Sequence, residues 1–119
     1  MIHINLPWPP SVNRYWRAVR GRVLISRDGR AYRSRVGQIV ALSGIQRLGS
    51  ARIGVYITAY PPDRRLRDLD NTLKATLDSI SHAGLFDDDG QIDDLHITRG
   101  PVEKPGRLEI TISQLEAPA

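Results

Sequence analysis

Cysteine is absent from the chain. Disulfides, thiolate nucleophiles and cysteine-based zinc sites are therefore excluded, so any bound metal must be held by oxygen or by histidine. Lysine is nearly missing as well: Lys74 and Lys104 are the only two, and every other base is an arginine. No run of eighteen apolar residues occurs and no signal-type leader is evident, so the expectation is a cytoplasmic protein without a membrane partner. With 119 residues, the chain suits one compact domain spanning 1–119 around a single core. Its hydrophobic fraction of 40% is modest, but several periodic apolar segments suffice to build that core.

Charge is unevenly distributed. Residues 1–67 carry thirteen arginines against Asp28 and Asp63, a net +11, whereas residues 68–119 carry four bases against eleven acids, a net −7. The guanidinium fork matches phosphate bidentately, so an arginine excess segregated in this way favours a phosphate-bearing partner, nucleic acid first. The competing explanation is attraction between the two halves, within one subunit or across an interface.

The chain alternates between strand and helix signals. IHINL (2–6) reads as a strand closed by PWPPS, because proline cannot enter a sheet interior. RVLIS (22–26) reads as a second strand, with Asp28-Gly29 a turn signal behind it. From Arg30 to Leu48, Ala31, Val36, Ile39, Val40 and Leu48 recur at helical spacing, with Arg30, Arg33, Arg35 and Arg47 on a basic outer face. Gly49 stands where a left-handed C-cap would end that helix. ARIGVYITAY (51–60) alternates as a strand, and a helix from about Leu69 or Asn71 to His82 carries the stripe Leu69, Leu73, Leu77, Ile80 before Gly84. QIDDLHITR (91–99) and RLEITIS (107–113) complete the set. The expected order β-β-α-β-α-β-β describes an α/β domain with a mixed sheet and two main helices.

The densest chemistry lies in DRRLRDLDNTLK, Asp63 to Lys74. Alternating residues of an extended segment point the same way, so Asp68 and Asp70 can converge while Leu69 enters the core. Two hard oxygen ligands are what magnesium commonly takes from a protein, leaving its other positions to water and phosphate. Lys74, about one turn on, can neutralise charge developing at phosphorus. The alternative is a helix N-terminus with Asp70 or Asn71 as cap and Lys74 in an intrahelical pair. A second acidic cluster, Asp87-Asp88-Asp89-Gly90, follows the same helix. An EF-hand is unsuitable there, since its first and twelfth ligand positions would fall on Leu85 and His96. The helix between the clusters would be roughly 17 Å long, so they meet only if the loop folds back. His3, His82 and His96 have no zinc-like spacing.

Taken together, LPWPPSVNRYW, GRAYR, DRRLRDLDNTLKATLDSI, GLFDDDGQI and GRLEITI, in this order and at near-constant spacing, resemble the RusA family of Holliday junction endodeoxyribonucleases across nearly the whole chain. The resemblance implies that Asp68, Asp70 and Asp89 are magnesium-binding carboxylates and Lys74 a catalytic lysine, with manganese able to substitute. Asp89 is singled out because it lies two residues before Gln91, as in the family's D-D-x-Q loop; Asp87 departs from that pattern, where an apolar residue is usual. It also implies a homodimer that cuts two opposed strands of a four-way junction, with branched DNA as partner and no organic cofactor. Arg64, Arg65 and Arg67 are the first choices for phosphate contacts, and Asn13, Arg14, Tyr15, Trp16 and Arg17 offer a second strip, in which an aromatic could stack on an opened base. Two rivals stand beside this reading: a non-catalytic DNA- or RNA-binding module with purely structural acids, and a nucleotide-sugar enzyme using D-x-D, which the size and the missing nucleoside-binding fingerprint disfavour.

Overall fold

A computed structural model describes residues 1–115. Ile2–Pro7 (β1), Ile53–Tyr60 (β4), Ile92–Arg99 (β5) and Arg107–Gln114 (β6) form one sheet in the order β1-β6-β4-β5. β6 runs antiparallel to both neighbours, and β4 and β5 are parallel. A parallel pair needs a crossover, and here the chain supplies it as a helix, Leu73–His82 (α3). The sheet is therefore mixed, as expected.

Period-two alternation sets its faces. Ile4 and Leu6 of β1, Ile53, Val55, Ile57 and Ala59 of β4, and Leu108, Ile110 and Ile112 of β6 are buried on one side. The opposite side carries His3, Tyr56, His96, Glu109 and Thr111, with Tyr56 stacked on His96 and donating to Asp94. α3 and Arg27–Ser43 (α2) cover the apolar face and pack on each other. Thr72, Thr76 and Ser79 are buried there despite their hydroxyls. Thr72 and Thr76 donate to the carbonyls of Leu69 and Thr72, which removes the cost of burying them.

Local details differ from the expectations in ways the packing explains. α2 begins at Arg27, three residues early, because Ser26 is its N-cap and accepts from the Gly29 amide at 2.9 Å. Asp28-Gly29 therefore lies in the first helical turn rather than in a turn between elements. Glycine is required for close approach: a Cβ at Gly29 would lie 2.5 Å from the Tyr15 carbonyl. The helix ends at Ser43, with Gly44 as the left-handed cap at φ 68°, so Gly49 does not cap it. Ala31 is exposed and Tyr32 takes its place in the buried stripe with Val36 and Val40. Two elements were not anticipated: the short helix Val12–Tyr15 (α1) and Trp16–Val19 (β2). β2 pairs with Arg22–Ile25 (β3) in a separate hairpin, so the second expected strand lies outside the main sheet.

α1 is locked to both long helices. Tyr15 is fully buried and donates its hydroxyl to Asp78 of α3, while Arg33 of α2 bonds the same carboxylate at 2.9 and 2.7 Å. Burial first, and then the Asp78 carboxylate, push the Tyr15 phenol above its ordinary range. Arg33, expected on an outer face, is thus a half-buried tie between the helices.

Candidate active site

β4 ends in Pro61-Pro62, and the chain then runs without regular structure through Asp63–Asp68 into a 3-10 turn, Leu69–Thr72, that leads directly into α3. Asp63 organises this loop. Its carboxylate accepts from Arg67 Nη1 at 2.7 Å and from the Arg65 amide at 2.9 Å. These bonds, the Arg67 one foremost, lower its pKa to about 2. Arg67 also lies over the Trp8 ring, 5.8 Å from its centroid, and its carbonyl accepts from Arg99 at 2.7 Å. Arg64 and Arg65 are exposed and Arg67 is half-buried, so the three arginines divide into two that face solvent and one that also braces the loop.

Asp68 has extended backbone, Leu69 packs against the core, and Asp70 is exposed one position further on. Neither Asp70 nor Asn71 caps the helix, because no side chain accepts from an amide at the N-terminus of the 3-10 turn or of α3. Among the described residues the Asp68 and Asp70 carboxylates have no hydrogen-bond or ion-pair partner. The capping alternative therefore lacks the bond that would have explained these acids.

The loop after α3 does fold back. Lys74, in the first turn of α3, has its Nζ 4.0 Å from Asp89 Oδ2. Asp89, which follows the C-terminal end of α3 in sequence, is thereby within ion-pair distance of a side chain from the first turn of that helix. Gln91 makes this possible. It is 6% exposed, and its Oε1 accepts from the Asp87 and Asp88 amides at 3.0 and 2.9 Å. Its Nε2 donates to the carbonyls of Gly49 and Ala51 at 2.9 and 2.5 Å. The loop is pinned to the segment that feeds β4.

The three adjacent aspartates have separate tasks. Asp88 caps a second 3-10 turn, Asp89–Gln91, accepting from the Gly90 amide at 2.9 Å. Asp87 is exposed and contributes its backbone amide to Gln91, and Asp89 faces Lys74. Among the described residues, Asp89 is the one of the three whose carboxylate comes within ion-pair distance of Lys74. Among the described residues, no three of the carboxylate and histidine side chains are gathered closely enough to enclose a metal ion. Asp68, Asp70 and Asp89 are exposed hard-oxygen donors of the kind that magnesium takes from a protein.

A cleft of about 670 Å³ opens beside Asp68. One wall is α2, the other the strip after β1 together with the arginine loop; Arg14 lines it, and Arg65, Arg67 and Asn71 lie on its loop side. Asn13 and Arg17 are exposed nearby in sequence, whereas Trp16 packs edge-on against Tyr15. Tyr15 cannot serve as a DNA contact, because it is fully buried in the core. Sequence reasoning gave Gln91 no structural task and did not bring Asp28, Tyr32 and Arg35 together; these three fall on one face of α2, which the helical period could have indicated once its N-cap at Ser26 was recognised.

An α/β domain that presents carboxylates and a lysine beside an arginine-edged cleft has the equipment of a phosphodiester-cleaving enzyme. Comparison with known proteins narrows the class: the family described as endodeoxyribonuclease RusA matches residues 7–113, and the chain belongs to that family. It is 46% identical over 113 residues to the crossover junction endodeoxyribonuclease of Enterobacteria phage 82, covering 95% of this chain and 94% of that one. It is 44% identical over 112 residues to the crossover junction endodeoxyribonucleases of Escherichia coli K12 and of Enterobacteria phage HK97, covering 94% of this chain and 93% of each relative. Among the described residues, no helix is long and apolar enough to cross a membrane.

Proposed function

We propose that this protein is a magnesium-dependent crossover junction endodeoxyribonuclease that resolves four-way DNA in the cytoplasm by paired, symmetric phosphodiester hydrolysis. The observation that supports the reading is the 4.0 Å approach of Lys74, in the first turn of α3, to Asp89 of the loop that follows the helix. The activity named for its relatives supports the same substrate.

Asp68, Asp70 and Asp89 would hold the metal, and manganese should replace magnesium in the same oxygen-rich site. A divalent ion bound there supplies Lewis acidity and a more acidic water. The chain's own residues do the rest. Lys74 places a positive charge where negative charge develops on the phosphoryl oxygens, and the salt link to Asp89 keeps its ammonium close to the carboxylates. Arg64 and Arg65, exposed at the lip of the site, take backbone phosphates and supply affinity that carries no sequence information. Arg67 holds the loop that positions Asp68. A homodimer would present two such sites to two strands, the symmetry a four-way junction requires.

A labelled four-way junction with magnesium tests this directly. Wild-type protein should yield paired nicks at symmetric positions, and Asp70→Asn should bind the junction while cutting it at least 10²-fold more slowly. Near wild-type cutting by the variant would remove Asp70 from the site, and binding without cutting by wild-type protein would favour a non-catalytic module.

A further inference from the structure

The cleft beside Asp68 is larger and less uniformly basic than a phosphate track needs. Its volume of about 670 Å³ lies in the range of sites that enclose a small organic molecule. Trp8, Pro9, Pro10 and Tyr32 give it apolar surface, whereas a groove that only follows a sugar-phosphate backbone needs little. Asp28, Ala31, Tyr32 and Arg35 form the α2 wall at the i, i+3, i+4 and i+7 spacing of one helix face. Arg14 and Arg35 have no ion-pair partner among the described residues, so both cations are available to a ligand.

Asp28 is the discordant residue. It is an exposed carboxylate in a cleft lined by Arg14, Arg35, Arg65 and Arg67, and among the described residues it neither accepts a hydrogen bond nor pairs with a base. In a surface built solely for phosphate such a charge would repel the ligand. A carboxylate accepts N–H donors, and the bases offer the exocyclic amino groups of cytosine, adenine and guanine and the ring imino N–H of guanine and thymine; thymine alone lacks the amino group. Leu66 adds a further hint. Between Arg65 and Arg67 of the same loop, it is 99% exposed, an apolar side chain free to occupy the gap left when a base leaves the stack.

We infer that this cleft receives one unstacked nucleotide next to the scissile phosphate, and that Asp28 reads an exocyclic amino group on its base. The inference rests on the nuclease reading and adds a source of cleavage-sequence preference to it. Arg14 and Arg35 take the flanking phosphates, Tyr32 and Trp8 supply the apolar walls, and Leu66 fills the vacated stack. A thymine at that position leaves the Asp28 carboxylate without an amino donor. Discrimination against it should be about tenfold, as for one lost base-edge contact.

The test uses full-length protein and four-way junctions. With 2-aminopurine placed singly at each nucleotide around the cut site, and EDTA present to prevent cutting, emission should rise severalfold at one position only. With magnesium, a junction set carrying each of the four bases at that position should show the preference against thymine, and Asp28→Asn should flatten it. Ala31→Trp, which fills the cleft from an exposed helix position, should suppress the emission rise while junction binding persists. Cutting by wild-type protein with flat 2-aminopurine emission at every position would overturn the inference and leave the nuclease reading intact. A rise in emission with an unaltered preference in Asp28→Asn would overturn the reading role of Asp28. Failure of wild-type protein to cut any junction would overturn the nuclease reading and this inference with it.

Discussion

Removing the Gln91 side chain should damage stability and cutting together, because its amide helps to tie the acidic loop to the segment that feeds β4. The side chain makes four hydrogen bonds at 3.0, 2.9, 2.9 and 2.5 Å, with the two amides at one end and the two carbonyls at the other. Each is worth about 1 kcal/mol net, and water entering the vacated space will re-satisfy part of the loss, so Gln91→Ala should cost roughly 3 kcal/mol. For a domain of this size that corresponds to a fall of about 10 °C in Tm. Asp89 lies two residues away on the same turn, and a displacement of about 1 Å at a reacting centre can cost about 10²-fold in rate. Gln91→Glu sharpens the experiment: it keeps an acceptor for the Asp87 and Asp88 amides but sets a carboxylate against the carbonyls of Gly49 and Ala51. It should therefore also be destabilised, in contrast to its near-identical shape. Thermal unfolding followed by circular dichroism, together with cleavage of a labelled junction, provides both readouts. A Tm within 2 °C of wild type and an unchanged cutting rate for Gln91→Ala would refute the claim that this residue positions the site.

The arginines of the neighbouring loop should separate by role. Arg64→Ala should weaken junction binding and reduce its salt dependence by about one counterion, with no loss of Tm. Arg67→Ala should do the same and lower Tm as well, since it frees Asp63, the Trp8 ring and the loop; binding measured across a salt series, with a melt of each variant, decides. The Asp63 carboxylate has a folded pKa of about 2, below its ordinary value, so its contribution is present above about pH 4 and is lost only as pH falls from there towards 2. The Arg65 amide, which bonds that carboxylate, should accordingly titrate in NMR spectra with a midpoint near 2. A midpoint near 4 would contradict the bonding described for this loop.

The parts of the structure that were legible in sequence were those governed by periodicity and by local chemistry. The alternation in Ile53–Tyr60 set a buried and an open face, and the leucine stripe of α3 identified a helix packed by one side. What was illegible depended on partners far away in sequence. Nothing local reveals that Gly29 yields space to the Tyr15 carbonyl, so Asp28-Gly29 looked like a turn. The basic face assigned to α2 lost Arg33 to Asp78, 45 residues away, for the same reason. α1 and β2 were hidden because four-residue elements carry too few residues to display a period. Family resemblance singled out Asp89 among three adjacent aspartates, whereas the Gln91 clamp and the Asp88 cap that shape this loop leave no mark in composition.

The most direct test of the account is manganese titration of the protein followed by NMR relaxation of its backbone amides. The account predicts that Asp68, Asp70 and Asp89 broaden together at the same low manganese concentration, and that Asp89→Asn weakens binding for all three. Broadening confined to Asp68 and Asp70, with Asp89 and its loop unaffected, would contradict it.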